Sequence, residues 1–207
     1  MVRQWVLGRS ISRGWKQADE GSVVLLRIGD PERMVSYVVD EADFESAAGL
    51  AEGDDHPAEL SWLSVVTNEP DNMMRRIRSA GLEYRRTEWL MSVDLARQPV
   101  RRAPASYGVE VVRRGEVVQV RVQEDDELAA RGQMVVMGND AVVDMVWTEP
   151  EHRRRGLGGA VMSRLAEEAQ KGGAERGLLA ASVEGRQLYN TLNWETFAEI
   201  LVARTTG

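Results

Sequence analysis

Thr148-Glu149-Pro150-Glu151-His152-Arg153-Arg154-Arg155-Gly156-Leu157-Gly158-Gly159 is the stretch on which the reading of this chain turns. It joins an apolar, strand-like run at 141–148 to the clearest helix pattern in the sequence, 157–171. In that helix Leu157, Val161, Leu165 and Ala169 recur at four-residue steps, and Gly172-Gly173 ends it. A helix begins with unpaired N–H groups and a partial positive charge of roughly half a unit. Arginines crowded at that end have the wrong sign for helix stability, so an anion is expected there. Gly156, Gly158 and Gly159 would let the backbone approach it closely. The plainer reading is a solvated basic turn. It leaves three glycines unexplained, each costing a helix about 0.5 to 1 kcal/mol relative to alanine.

Composition narrows the field around this stretch. The 207 residues are 43% hydrophobic and 29% charged, as in a globular chain with a core, in one domain or two small ones. With no cysteine, disulfides, thiolate metal sites and a cysteine nucleophile are excluded. The two imidazoles, His56 and His152, make a histidine metal cluster or a Ser-His-Asp triad an unfavoured reading. A net charge of -7 argues against a nucleic-acid partner, although an RNA- or DNA-binding role for the arginine cluster is the third hypothesis carried. No apolar run suits a signal peptide or a membrane span, so a cytoplasmic protein is expected.

Outward from the stretch, the first hundred residues read as strand-rich. Strands are expected at 23–28 (VVLLRI), 34–39 (MVSYVV), 60–67 (LSWLSVVT) and 88–95, with helices at 41–51 and 72–79, a turn at Gly29-Asp30-Pro31 and a loop at 52–55. Residues 96–107, ARQPVRRAPASY, read as a linker. Beyond it, strands are expected at 109–112 and 117–122, an acidic helix at 124–130, and a hairpin of 134–137 with 141–148. A strand at 178–182, a short helix at 185–192 and a last strand at 196–203 complete the pattern. Setting Gly81 on Asn193 aligns a strand-helix-strand unit of each half, which reads as a diverged duplication. The simpler view is that any two such units look alike.

Arg153-x-x-Gly156-x-Gly158, after an apolar strand and a proline turn, resembles the acetyl-CoA signature of the GNAT N-acetyltransferase superfamily. About thirty residues on, Gly185-Arg186-Gln187-Leu188-Tyr189 through Leu192-Asn193-Trp194 resembles the family's second motif. The resemblance implies an α/β (α+β) fold, a mixed and mostly antiparallel sheet flanked by helices. It implies a GNAT domain at 107–207 preceded by a degenerate GNAT-like half at 1–97 without a cofactor motif.

It further implies an enzyme that moves an acetyl group from acetyl-CoA to an amine by direct attack, with no metal. The alternative is an inactive acyl-CoA-binding module with a sensing role. Backbone amides of Arg154, Arg155, Gly156, Leu157, Gly158 and Gly159 would hold the pyrophosphate, with Arg153 and the other arginine side chains around it. Val146, Trp147 and Thr148 would meet the pantetheine arm and polarise the thioester carbonyl. Tyr189 would protonate the departing thiolate; its other reading is a core tyrosine beside Leu188 and Leu192. The family's turn glycine is Asn193 here, and the strand position where some members carry a basic Glu is Val142. Asp144 is the candidate base, with a water relay or no dedicated base as alternatives. Trp147 is read as core or a site wall, His152 as an exposed side chain, and Glu149 and Glu184 as solvated. The acceptor is expected to be a small molecule sooner than a protein, and the chain a monomer or homodimer.

Overall fold

The computed structural model describes residues 1–30, 33–52 and 61–206. The expected loop at 53–55, together with Pro31, His56 and Leu60, lies outside them. In chain order the elements are α1 (Val2–Arg13), β1 (Lys16–Glu20), β2 (Val23–Asp30), β3 (Arg33–Asp40), α2 (Phe44–Glu52), β4 (Ser61–Thr67), α3 (Pro70–Ser79) and β5 (Glu83–Asp94). There follow β6 (Gly108–Arg114), β7 (Val117–Glu124), β8 (Glu127–Met137), β9 (Asp140–Thr148), α4 (Leu157–Lys171), β10 (Arg176–Ala181), α5 (Val183–Asn190) and β11 (Glu195–Arg204). This is a mixed α+β chain with mostly antiparallel strand pairing and flanking helices.

Two compact units divide it, and their boundaries do not follow the expected one at 96–107. The motif-bearing unit takes Met91–Glu195 together with Met1 and Arg3–Arg13; the companion unit takes Gly14–Leu90, Val2 and the segment from Thr196. Helix α1 had no sequence expectation, yet it belongs with the motifs, 131 residues away from its partner Asp144.

In the companion unit the strands run β1-β2-β3-β4-β11, with β3 and β4 parallel and the other pairs antiparallel. Its core joins Tyr37, Leu63 and Val65 to Phe44 of α2, Met73 and Ile77 of α3, and Leu201 of β11. Gly81 (φ 69°) and Asn193 (φ 64°), the two residues aligned by the internal comparison, are both left-handed. Each is followed by the same helix-ending bond: the Leu82 amide donates to the Ile77 carbonyl, and the Trp194 amide to that of Tyr189, both at 3.1 Å.

The motif-bearing unit is a sheet in the order β10-β9-β8-β7-β6. β6, β7, β8 and β9 form an antiparallel meander, and β9 and β10 are parallel. Helix α4 covers one face: Leu157, Val161, Leu165 and Ala169 are all at most 1% exposed, as their spacing predicts. Gly132 of β8 lies beneath it, and a Cβ there would come within 2.7 Å of Val161. Helix α1 lies on the opposite face, where a Cβ on Gly8 would meet Val142 at 2.5 Å. Gln133 donates from Nε2 to the Ser12 carbonyl (2.7 Å) and to Ser12 Oγ (2.8 Å).

The expected acidic helix at 124–130 is not formed. Asp125 and Asp126 both adopt positive φ (48° and 67°) and turn β7 back into β8. Aspartates tolerate that conformation better than most residues, and the neighbouring strands supply the pairing a lone helical turn lacks. The expected linker at 96–107 runs instead as a strap along α4. Gln98 Nε2 donates to the Met162 carbonyl (3.0 Å), the Arg101 amide to Ser163 Oγ (2.7 Å), and Trp194 Nε1 to Gln98 Oε1 (2.8 Å).

Candidate active site

Parallel pairing of β9 with β10 runs from Asp140 opposite Arg176 to Val142 opposite Leu178 and stops there. Past that pair the β9–β10 register does not continue, so the β9 edge at Val146, Trp147 and Thr148 has no strand partner on that side among the described residues. On its other side β9 remains paired to β8, Arg131 opposite Trp147 and Ala130 opposite Thr148. A bulge marks the change: Met145 has φ 54°, and the register skips between Arg131 and Gln133. Such a bulge bends a strand and leaves one residue unpaired.

At the head of α4 the chain makes a short turn at Pro150–His152, then Arg154 (φ 63°) and Gly156 (φ 78°) adopt left-handed conformations. Gly156 caps the helix without a side-chain bond. The first amide to close onto this turn is that of Ala160, donating to the Gly156 carbonyl at 3.1 Å. The amides of Leu157, Gly158 and Gly159 therefore begin the helix without intrahelical acceptors. Gly158 lets α5 approach closely, since a Cβ would stand 2.9 Å from Leu188 Cδ2 and push that side chain aside. Gly159 admits the stem of Arg101, whose Cγ and Cβ would lie 3.2 and 3.3 Å from an added Cβ.

The three arginines divide their roles. Arg153 lies over the Trp147 ring, its guanidinium carbon 5.0 Å from the centroid, and donates from Nε to the Thr148 carbonyl (3.2 Å). Arg154 is exposed and pairs with no carboxylate among the described residues. Arg155 turns back to the meander, donating to Tyr107 Oη (2.8 Å) with Glu124 at 3.7 Å. His152, expected to be exposed, joins that cluster: its Nδ1 lies 3.0 Å from Tyr107 Oη and 3.6 Å from Glu124. The strap supplies Tyr107, so only the fold could bring it to the histidine.

Tyr189 lies on α5, which begins with Ser182 Oγ accepting from the Gly185 amide (3.1 Å). The tyrosine is 7% exposed and its ring lies 6.0 Å from that of Trp194. Its hydroxyl takes no hydrogen-bond partner among the described residues. Burial, reinforced by the charge of Asp144, pushes its ionisation well above the ordinary value of 10.0, so the phenol stays protonated. Asn193 holds the turn after α5 and donates from Nδ2 to the Arg97 carbonyl (2.9 Å).

Asp144 is not a free carboxylate. Arg13 of α1 donates to both its oxygens, from Nε at 2.5 Å and Nη2 at 2.9 Å. Trp147 departs from its reading as core, being 46% exposed. Simple alternation sets it on the face opposite Asp144. The extra residue at the bulge places both on the α1 side, because Asp144 opposes Gln133 and Trp147 opposes Arg131, two residues apart on β8. Glu149 is half-buried and Glu184 exposed.

Arg13, Arg101, Tyr107, Glu124 and Arg131 carry no local signal that links them to the motifs. Among the described residues no group of three or more His, Asp or Glu side chains could hold a metal ion, and no helix is long and apolar enough to cross a membrane.

The sequence model of the acetyltransferase (GNAT) family matches residues 82–192. No curated protein sequence matches the chain. Among solved structures, a GCN5-related N-acetyltransferase from Kribbella flavida superposes with a TM-score of 0.68 at 18% identity, covering 98% of this chain and 93% of its own. One from Sphaerobacter thermophilus gives 0.66 at 15% identity, covering 95% and 84%. A tandem GNAT protein from the clavulanic acid biosynthesis pathway gives 0.62 at 15% identity, covering 88% and 78%. At these identities the likeness establishes the fold.

Proposed function

The chain belongs to the acetyltransferase (GNAT) family, matched over residues 82–192, and from that premise we propose that it moves an acetyl group from acetyl-CoA to the amine of a small acceptor. One observation carries the reading. Past Val142 the β9 edge lies open toward β10, at the end of the sheet where α4 presents its amides and Tyr189 its unbonded hydroxyl.

The cradle fits the cosubstrate. The amides from Arg154 to Gly159 are the donors for a pyrophosphate, with the charges of Arg153 and Arg154 beside them. Gly158 keeps the first turn of α4 open against Leu188. Arg101, whose stem crosses Gly159, adds a cation from the strap. The β9 edge at Val146, Trp147 and Thr148 turns its groups on the β10 side to the pantetheine arm, and an amide there polarises the thioester carbonyl as negative charge grows on it.

A neutral amine attacks the carbonyl carbon, the C–S bond breaks, and the thiolate leaves with a hydrogen bond from Tyr189 Oη. Tyr189 supplies the proton at the end of that step and is reprotonated from solvent. Asp144, bound at both oxygens by Arg13, is assigned to holding α1 on the sheet and shaping the field at Tyr189. The amine then loses its proton to water.

The test pairs calorimetric binding of acetyl-CoA with thiol release across a panel of primary amines. Micromolar binding with amine-dependent release is expected. Absence of CoA affinity would overturn the reading, and affinity with silence toward every amine would make the chain an acyl-CoA-binding module.

A further inference from the structure

The face of the β6–β9 meander opposite α4 passes from apolar at Val135 and Val142 to polar at Gln133 and Arg131, and strand register lays its residues out in rows. Gly8 of α1 covers Val142 in one row, and Ser12 and Arg13 cover Gln133 and Asp144 in the next. The following row is not held by α1. It runs straight across four strands: Glu110 opposite Arg121, Arg121 opposite Arg131, and Arg131 opposite Trp147. Trp147 ends the row on the open edge of β9, with Arg153 over its ring.

Two arginines thus oppose each other on adjacent strands, about 5 Å apart at the backbone, an arrangement that like charges disfavour. Their neutralisation is incomplete. Arg121 reaches Glu110 only at 3.9 Å. Arg131 pairs with no carboxylate among the described residues, and its buried Nε meets no acceptor. A buried donor of this kind costs free energy until something fills it. Two other carboxylates that register places on this face are already taken, Asp144 by Arg13 and Asp140 by Arg176 at 2.7 Å.

The geometry points to an acceptor-anion subsite: Arg131, assisted by Arg121, binds a carboxylate or phosphate on the acceptor, whose apolar part lies on Trp147 and whose amine reaches the thioester at the β9 edge. This deepens the acetyltransferase reading and rests on it. The acceptor class is a small primary amine bearing an anionic group, the opposite of the cationic amines that a net charge of -7 would attract to the surface. A guanidinium fork suits either oxyanion, and its position one strand from the reacting edge allows only a short spacer.

The experiment uses the full chain, acetyl-CoA and matched probes: β-alanine against β-alaninamide, O-phosphoethanolamine against ethanolamine, and putrescine as the cationic control. The anionic member of at least one pair is expected to show a kcat/KM roughly 10- to 150-fold above its neutral partner, the range for one charge-assisted hydrogen-bonded contact. Arg131→Met is expected to erase that advantage with acetyl-CoA affinity unchanged, and Arg131→Lys to restore part of it. Arg121→Met gives a smaller loss and serves as the second variant should Arg131→Met fail to fold.

Preference for neutral or cationic amines overturns the proposal, as does an advantage that survives Arg131→Met. A parallel loss of acetyl-CoA affinity also overturns it, moving the arginines to the cosubstrate. If no amine is acetylated, the transfer reading fails, and calorimetric binding of β-alanine and O-phosphoethanolamine decides the subsite separately. Binding that Arg131→Met abolishes supports it, and no binding overturns it.

Discussion

Replacing Tyr189 by phenylalanine separates chemistry from architecture more sharply than any other change in this chain. A buried tyrosine hydroxyl normally contributes about 1 kcal/mol through its hydrogen bond. Here the hydroxyl has no partner among the described residues, while the ring packs at 6.0 Å from Trp194. The phenylalanine variant keeps the ring and loses a hydroxyl that bonds no other described residue, so its thermal stability is expected to match the parent's within about 0.5 kcal/mol.

Catalysis should respond differently. Acid catalysis is worth about 10²- to 10⁴-fold, with most effect when the acid ionises near the working pH. Burial, then the Asp144 charge, raise Tyr189 from 10.0, which makes it a weaker acid and sets the expected loss in kcat near the low end, about 100-fold. KM for acetyl-CoA should be unchanged, because the interaction matures only as the thiolate departs. The sign of the pH effect follows from the same shift. The required form is the protonated one, and raising its ionisation extends that form upward, so Tyr189 produces no fall in kcat between about pH 7 and 10. The assay is steady-state thiol release across that range for both proteins, with unfolding by calorimetry. Unchanged kcat in the variant would refute the reasoning, as would an alkaline limb below pH 10 that the variant lacks, or a large loss of stability.

Three further outcomes are expected. Gly8→Ala would place a Cβ 2.5 Å from Val142 Cγ2 and 2.6 Å from its Cβ, lifting α1 from β9; denaturant unfolding should show a loss of about 1–3 kcal/mol. Asp144→Asn should cost stability through Arg13 while leaving the pH profile of kcat in place, and a loss of 100-fold or more with a vanished acidic limb would restore Asp144 as the base. Glu168 is held below its ordinary 4.5 by its hydrogen bond to Lys171, then by the charges of Lys171, Arg164 and Arg113. A depressed carboxylate stabilises the fold above its unfolded value and loses that contribution as the pH falls through its folded one. The melting-temperature gap between the parent and Glu168→Gln should therefore be open at pH 7 and narrow progressively below about pH 4.5.

Local order explains what could be read in advance. Helix α4 announces itself by four-residue apolar spacing and a glycine at each end, and the turn before it by three arginines and three glycines where a helix begins. Tyr189 follows from a motif placed on a short helix. Asp125 and Asp126 show where local reading fails: an acidic, helix-favouring composition became a left-handed turn because β7 and β8 offered better pairing.

The sequence by itself determined helix α4 and the glycine-rich arginine turn before it, because capping, periodicity and backbone freedom act over a few residues, and two motifs resembling those of the GNAT family carried the fold class and the place of Tyr189. Only the tertiary structure decided what surrounds them. It brought Arg13 to Asp144 across 131 residues and turned a candidate base into half of an ion pair. One inserted residue at Met145 moved Trp147 onto the same face as Asp144, and register aligned Arg121 and Arg131 beside it. Strand register and long-range ion pairs depend on which segments meet, a choice settled by the packing of the whole chain.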